Sequence, residues 1–445
     1  MSSKAHSEAL ATLRKGFDDG VLLELDSRKN AIRAILKLVE ENVDSIVEAC
    51  AKDLHRPRSE TLSAEVCSIK REANAMLANM DSWLADEYVS RSFVSMLDTP
   101  YIQKQPLGVV IIFGSWNYPI LLVLQPLIGA IAAGNTALVK PSEYAPASGE
   151  FLMKSIPKYL NSSVCKVICG DAQLGASLLD TYRFDHIFYT GGTNGGRAVY
   201  AAAAKFLTPV TLELGGKSPS YVDAHVNIML AVRRILWSKL YNAGQTCVAT
   251  DYVMCHQDVV AEFCRSMLEV LKEFLGDDPH QSPDFARIIN KFHLERLTKL
   301  LSATKGKIIH GGDSVPDELY MAPTIVTDVK PDDSLMSEEL FGPILPIMTV
   351  ESSLQAVEFV RSRDKPLAIY VFTSNQDVFS QFKQGTSSGS LSQNDCCSHM
   401  IVHELPSGGV GNSGFGRYHG KFSVDNFSHH RAVLLKSTIE TINHK

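Results

Sequence analysis

The 445-residue sequence has no excess of positive charge: 43 Lys and Arg stand against 49 Asp and Glu, a net charge of −6. That balance leaves no electrostatic footprint for nucleic acid or for an acidic membrane surface. Metal-ligand spacing is missing from its nine cysteines. Cys165 and Cys169 are separated by three residues and Cys396-Cys397 are adjacent, so no metal site is expected. The odd count, without a recognisable signal peptide, predicts reduced thiols in a cytoplasmic setting. A long unbroken apolar run is also missing. No charge occurs between Lys104 and Lys140, but Pro106, Gly114, Asn117, Pro119, Pro126 and Gly134 break that stretch, and a spanning helix needs roughly 20 apolar residues. The stretch reads instead as buried strand, turn, helix, buried strand. The tail from Ser437 to Lys445 is short and polar, and no integral membrane segment is expected. Neither internal repeats nor low-complexity tracts occur.

What is present is an ordinary globular composition, 45% hydrophobic and 21% charged, long enough for two or three domains. Residues 1 to about 81 place apolar residues three and four apart, as in Ala31–Val39 and in Val66, Ile69, Ala73, Met76 and Met80. They read as packed helices without chemistry of their own. Residues 82–102 lose that period and read as a linker with extended pieces. Leu107–Phe113 is then a continuous β-branched run, typical of a parallel strand buried on both faces. It ends at Gly114-Ser-Trp-Asn-Tyr-Pro119. Asn117 therefore falls just outside the carboxyl end of a strand, where open α/β sheets place catalytic groups, although Asn there also serves as a helix cap.

Thr136–Val139 is a second buried strand, closing on Lys140-Pro-Ser-Glu143. Lys140 there can reach a ribose hydroxyl or phosphate and Glu143 can accept from an adenosine ribose; taken alone, the tetrapeptide is equally a solvated turn. His186–Thr190 is a third strand, followed by Gly191-Gly-Thr-Asn-Gly-Gly196 and an alanine-rich helix. Glycines between a strand and a helix N-terminus suit a pyrophosphate. The pattern is not a P-loop, because Arg197-Ala198 stands where Lys-Ser/Thr is required. Gly409-Val-Gly-Asn-Ser-Gly414 fits G-x-G-x-x-G, but it follows no strand and too little chain remains for a dinucleotide fold. After residue 247 strands and helices alternate again, through Tyr252–Cys255, a helix to Glu273, Lys307–His310 and Pro323–Thr327.

The most specific chemistry lies in two stretches, Thr211-Leu-Glu-Leu-Gly-Gly-Lys217 and Tyr241-Asn-Ala-Gly-Gln-Thr-Cys247. A thiol attacks as its thiolate, so Cys247 benefits from surrounding N–H donors and from a base within reach, which Glu213 supplies. Gly244 allows close backbone approach, and the amides beside Cys247 suit an oxyanion. A single cysteine is otherwise more often a small buried hydrophobe.

Together Glu213-Leu-Gly-Gly-Lys217 and Gly244-Gln-Thr-Cys247 resemble the catalytic signature of NAD(P)-dependent aldehyde dehydrogenases. The resemblance runs from about residue 5 to 435 and is closest to the class 3 branch acting on fatty and aromatic aldehydes, on the further marks Arg287-Ile-Ile-Asn290, Thr386-Ser-Ser-Gly389 and Tyr418-His-Gly-Lys421. It implies an α/β fold with a Rossmann-like cofactor domain (1–81 and 103–212), a related catalytic domain (213–398) and a small β oligomerisation element (82–102 and 399–445). It implies Cys247 as nucleophile, Glu213 as the base that activates water and Asn117 as an oxyanion donor. For the cofactor, NAD with NADP possible, it implies Lys140, Glu143, Gly191, Thr193, Gly196, Leu214, Glu339 and Phe341. It further implies oxidation of medium- or long-chain aliphatic or aromatic aldehydes to acids through a thioester, commonly in a homodimer. Gly192 stands where the family usually has Ser, Asn194 where Gly is frequent and Ser407 where Phe is frequent. Backbone N–H groups are therefore expected to carry more of the phosphate binding. A non-catalytic binding protein and a cofactor-independent thiol esterase remain as alternatives.

Overall fold

The computed structural model describes residues 3–438; residues 439–445 of the polar tail lie outside the described residues. Helices Ser3–Asp18, Leu25–Glu41, Val43–Leu54 and Ser68–Trp83 open the chain. Their periodic apolar positions are the ones buried, Ile32, Ile35, Leu38 and Val39 on the second helix and Ile69, Ala73, Met76 and Met80 on the last. A π-helical turn at Leu62–Cys67 precedes that last helix.

These helices pack against a six-stranded sheet. Val109–Phe113 lies at its centre, parallel to Thr136–Lys140 on one side and to His186–Thr190 on the other. Cys165–Val167 and Val210–Glu213 extend the parallel array outward, and Gly414–Phe415 adds an antiparallel edge on Val210–Glu213. All five residues of Val109–Phe113 are buried, because helices cover both faces; hence the uninterrupted β-branched run rather than alternation. The chain winds outward on one side of this strand and then returns to its other side. A crevice therefore opens at the carboxyl ends of Val109–Phe113 and His186–Thr190, between Gly114–Tyr118 and Gly191–Thr193. Helix Leu121–Ala133 is too short to cross a bilayer and is buried on nearly every face despite Pro126. No helix among the described residues is long and apolar enough to cross a membrane.

A second, seven-stranded sheet runs in the order Lys307–His310, Thr324–Thr327, Ile344–Val350, Tyr252–His256, Pro219–Val222, Ala368–Phe372 and Ser390–Gln393. It is parallel except for its first strand. The α/β expectation holds in both layers. The segment read as a linker contributes Glu87–Tyr88 and the longer strand Thr99–Pro106, which pairs along its whole length with Ser428–Leu435.

The two sheets have separate apolar cores, and Ile112 sits at the middle of the first, with 0% exposure. Ile112→Ala should lower unfolding stability by about 2–5 kcal/mol, read as a lower denaturant midpoint at unchanged slope.

Candidate active site

Between the sheets lies a cavity of about 660 Å³, lined among others by Asn117, Gly191, Thr193, Glu213, Leu214, Cys247, Glu339 and Phe341. Eight of the eleven residues singled out from the sequence thus meet on one space. Lys140, Glu143 and Gly196 do not line it. Lys140 ends the strand beside Phe113 and pairs with Glu143 at 3.1 Å. Gly196 lies under Leu214, where a Cβ would come within 2.7 Å of that side chain. Its role is close packing of the helix beneath the cavity floor.

The nucleophile loop is set by backbone conformation. Asn242, Ala243 and Gly244 all have positive φ, 53°, 50° and 75°, a run that ordinary side chains resist. At Gly244 an added Cβ would come within 2.3 Å of the Gly342 carbonyl oxygen, so the loop packs backbone to backbone against the segment carrying Phe341. Gln245 pins it further: its side chain donates to the carbonyls of Asn242 (3.0 Å) and Arg287 (2.9 Å) and accepts from the Ile289 N–H (3.0 Å). Asn117 is buried and donates from Nδ2 to the Gln245 carbonyl at 3.2 Å. An amide nitrogen carries two protons, so one remains for the cavity.

Helical residues that showed only packing in the sequence hold this arrangement from behind. Arg56 and Glu65, both without side-chain exposure, pair at 2.8 Å. Arg56 also donates to the Asn242 side-chain oxygen (3.2 Å) and to the Asn117 carbonyl, while Glu65 accepts from the Leu121 N–H at 2.5 Å. One buried ion pair therefore touches both the turn bearing Asn117 and the loop bearing Cys247. The pattern offered no signal for it, since an Arg and a Glu nine residues apart ordinarily belong to solvated faces. Lys217 is likewise a fastener. It pairs with Asp251 and donates to the carbonyls of Leu335 and Glu338 (2.8 Å each), and Asp251 accepts from the Leu340 N–H at 2.9 Å. These bonds fix the segment presenting Glu339 and Phe341, and the Phe341 ring stands edge-on to Trp116 at 5.2 Å.

Burial pushes the Cys247 thiol up to about 12, with Glu339 and Glu213 adding to the effect. The thiol is therefore favoured in its protonated form at neutral pH, and the donor-rich loop does not by itself ionise it. Burial also lifts the Glu213 carboxyl well above the usual carboxylate range, and its Oε1 is buried without a hydrogen-bond partner. A carboxyl raised this way is a stronger base toward a water or thiol brought against it. Burial, reinforced by Asp251, takes Glu339 to about 8.

The floor fits a dinucleotide. Helix Thr193–Ala204 starts at Gly192 without a side-chain cap, so its first N–H groups face the crevice as anion donors. A Cβ at Gly192 would meet nothing within 4 Å; the usual Ser would fit, and its absence leaves the work to the backbone. Thr190 Oγ1 lines the cavity and is buried without a partner, an orphan that a ligand hydroxyl would satisfy. By contrast, Gly409–Gly414 is built as a brace. It forms a short turn, Leu214 N–H donates to the Ser413 carbonyl (3.2 Å), and Gly414 lies against Leu212. It braces the strand that ends in Glu213.

Fold and cleft together define an α/β oxidoreductase that oxidises its substrate with NAD or NADP through a cysteine. The chain belongs to the aldehyde dehydrogenase family, whose family model matches residues 1–433. It is 44% identical to rat aldehyde dehydrogenase family 3 member B1 over 437 residues, 98% of this chain and 93% of that one. It is 42% identical to the rat dimeric NADP-preferring aldehyde dehydrogenase over 439 residues, 99% and 96% of the two chains. Among solved structures, AldH of Staphylococcus aureus in a substrate-bound state matches with TM-score 0.96 and 37% identity, covering 98% of this chain and 95% of that one. The class 3 affinity expected from the sequence is thereby established.

The raised thiol has a direct consequence. Alkylation of Cys247 by iodoacetamide in cofactor-free protein, followed by peptide mass spectrometry, should be slow at neutral pH. Its rate should climb with pH toward the folded-state value near 12, because only the thiolate reacts. A plateau below pH about 8, near the ordinary thiol value, would contradict that environment.

Proposed function

We propose that this chain oxidises medium- and long-chain aliphatic or aromatic aldehydes to carboxylic acids, with Cys247 as nucleophile, Glu213 as base and Asn117 as oxyanion donor. The observation that carries this reading is the meeting of these three side chains on one cavity whose far wall suits a dinucleotide. We assign residues 1–81 and 103–212 to cofactor binding, 213–398 to catalysis, and 82–102 with 399–445 to assembly.

The sulfur of Cys247 adds to the aldehyde carbon as its proton passes to Glu213 and on to solvent, and the carbonyl π pair moves to oxygen. That oxygen accepts from Asn117 Nδ2 and from the Cys247 N–H, donors whose individual loss typically slows such steps about 10²–10³-fold. NAD or NADP, when bound, accepts the hydride from this carbon. The chain's part in that step is orientation: Glu339 would hold the two hydroxyls of a ribose, Phe341 would pack beside a flat ring, and the Gly192–Thr193 backbone would take the phosphates. Lys140 and Glu143, outside the cavity lining, would hold the other ribose. The product on the enzyme is a thioester of Cys247. Glu213 removes a proton from water, the hydroxide oxygen adds to the thioester carbon, and the C–S bond breaks to release the acid and the Cys247 thiolate, which takes back the proton held by Glu213. Splitting oxidation from hydrolysis is what a thiol makes possible.

The dimer is proposed from the exposed apolar surface on and beside the three-stranded sheet. Phe93, Val94, Met96, Leu434 and Leu435 are all exposed, more than a monomer ordinarily leaves to water. A cytoplasmic site is supported by the nine free cysteines.

Two tests follow from this mechanism. In rapid mixing with NAD and an alkanal, wild type should give a fast NADH burst; Cys247→Ala should give no NADH, and Glu213→Gln should keep the burst but slow turnover. NADH from the Cys247→Ala protein would remove the nucleophile assignment. Sedimentation should show a dimer, and Leu434→Asp with Val94→Asp should shift it to monomer; a wild-type monomer would sink the assembly reading.

A further inference from the structure

One end of the cavity carries a cation that the reaction does not use. The π-helical turn Leu62–Cys67 rotates the following helix so that Ser63, Ser68 and Arg71 face the cavity while Glu65 and Glu72 face inward. Arg71 is half-buried and donates to the Ile401 carbonyl at 3.2 Å. Among the described residues no carboxylate lies within ion-pair distance of it. Its sequence neighbour Glu72 is already engaged: it accepts from the Gly420 N–H (2.9 Å) and from Gln125 (3.4 Å), and stands 3.2 Å from His403. Although burial raises it, the donors around Glu72 bring it below the usual carboxylate range, so its charge is spent inside the fold.

The acidic residues that line the cavity all belong to its other parts. Glu213 and Glu339 stand at the reaction centre and Glu338 is held by Arg296 at 2.7 Å. Burial lowers His399 and His419 to about 4, which leaves both neutral near pH 7. Arg71 is therefore a permanent positive charge on this wall, and the apolar side chains Leu121, Trp237, Met400 and Ile401 line the same cavity as Arg71 and Cys247. Apolar walls between a reactive thiol and a guanidinium without a counterion match a molecule that is an aldehyde at one end, hydrocarbon in the middle and an anion at the other.

We propose that Arg71 is a specificity-determining residue that receives a carboxylate at the far end of the aldehyde, so that ω-oxo-carboxylates are preferred over uncharged aldehydes of equal length. The inference rests on the aldehyde-oxidising reading and names a substrate class within it. A planar guanidinium binds a carboxylate through two parallel hydrogen bonds, and half-burial leaves that attraction open to screening by salt. The product would be a dicarboxylate.

The test compares kcat/KM for a series of ω-oxo-carboxylates with their methyl esters at matched length, using wild-type protein and NAD. The expected result is a preference of about 10-fold for the free acid at the best-fitting length, as one charged hydrogen-bonded pair supplies, diminishing as salt is raised. Arg71→Gln should bring the acid-to-ester ratio close to one, Arg71→Lys should keep part of it, and Arg71→Glu should invert it. A ratio near one at every length in wild type overturns the proposal without any variant. So does a ratio that Arg71→Gln leaves unchanged. Failure of the underlying reading looks different, because wild type would then reduce NAD with neither acid nor ester, and the proposal would fall with it.

Discussion

The site depends on a single ion pair that never meets the substrate. Arg56 and Glu65 are sealed from water between the N-terminal helices and the first sheet, where an unpaired charge would be strongly destabilising. Arg56 donates further to the Asn117 carbonyl and the Asn242 side chain, and Glu65 accepts from the Leu121 N–H. The turn bearing Asn117 and the loop bearing Cys247 are thereby referred to one fixed point. Burial raises the Glu65 carboxyl while Arg56 opposes it, so the pair keeps its charges only as a unit. Such a pair contributes little net stability compared with apolar packing; what it contributes is a definite geometry.

A second constraint is the absence of charge compensation at the thiol. Cys247, Glu213 and Glu339 crowd one buried space without a cation beside the sulfur. The cavity thus favours the neutral thiol and raises the Glu213 carboxyl. The same low-dielectric setting that suppresses the resting thiolate strengthens each N–H aimed at a developing oxyanion. Cysteines elsewhere, such as Cys165 and Cys255, are also raised by burial but do not line the cavity that holds Cys247. A raised acidity constant alone therefore does not single out a reactive thiol.

Lys217 and Gly414 show how motif residues divide between chemistry and support. Lys217 lies four residues beyond Glu213, yet it is bound to Asp251 and to two carbonyls of the Glu339 segment. Gly414 completes a G-x-G-x-x-G spelling, yet its φ of 124° and its contact with Leu212 serve to edge the sheet. In both cases the residue type is demanded by a neighbour in space.

Much of this was legible in the chain. The β-branched run Val109–Phe113, the glycines at 191–196 and the paired motifs around Glu213 and Cys247 carry short-range requirements, burial on both faces, a tight turn and a nucleophile with its base, and short-range requirements leave marks in sequence. The functions of Arg56, Glu65 and Arg71 left none. Their meaning lies in partners at positions 117, 242 and 401, brought close only when helices pack on the sheet and when one π-helical turn shifts which residues face the cavity. Sequence by itself determined the fold class and the family, and it singled out the groups proposed to react. Tertiary structure alone decided which helical charges are buried as braces and which one is left facing the cavity, because a charge's environment is set by what folds against it.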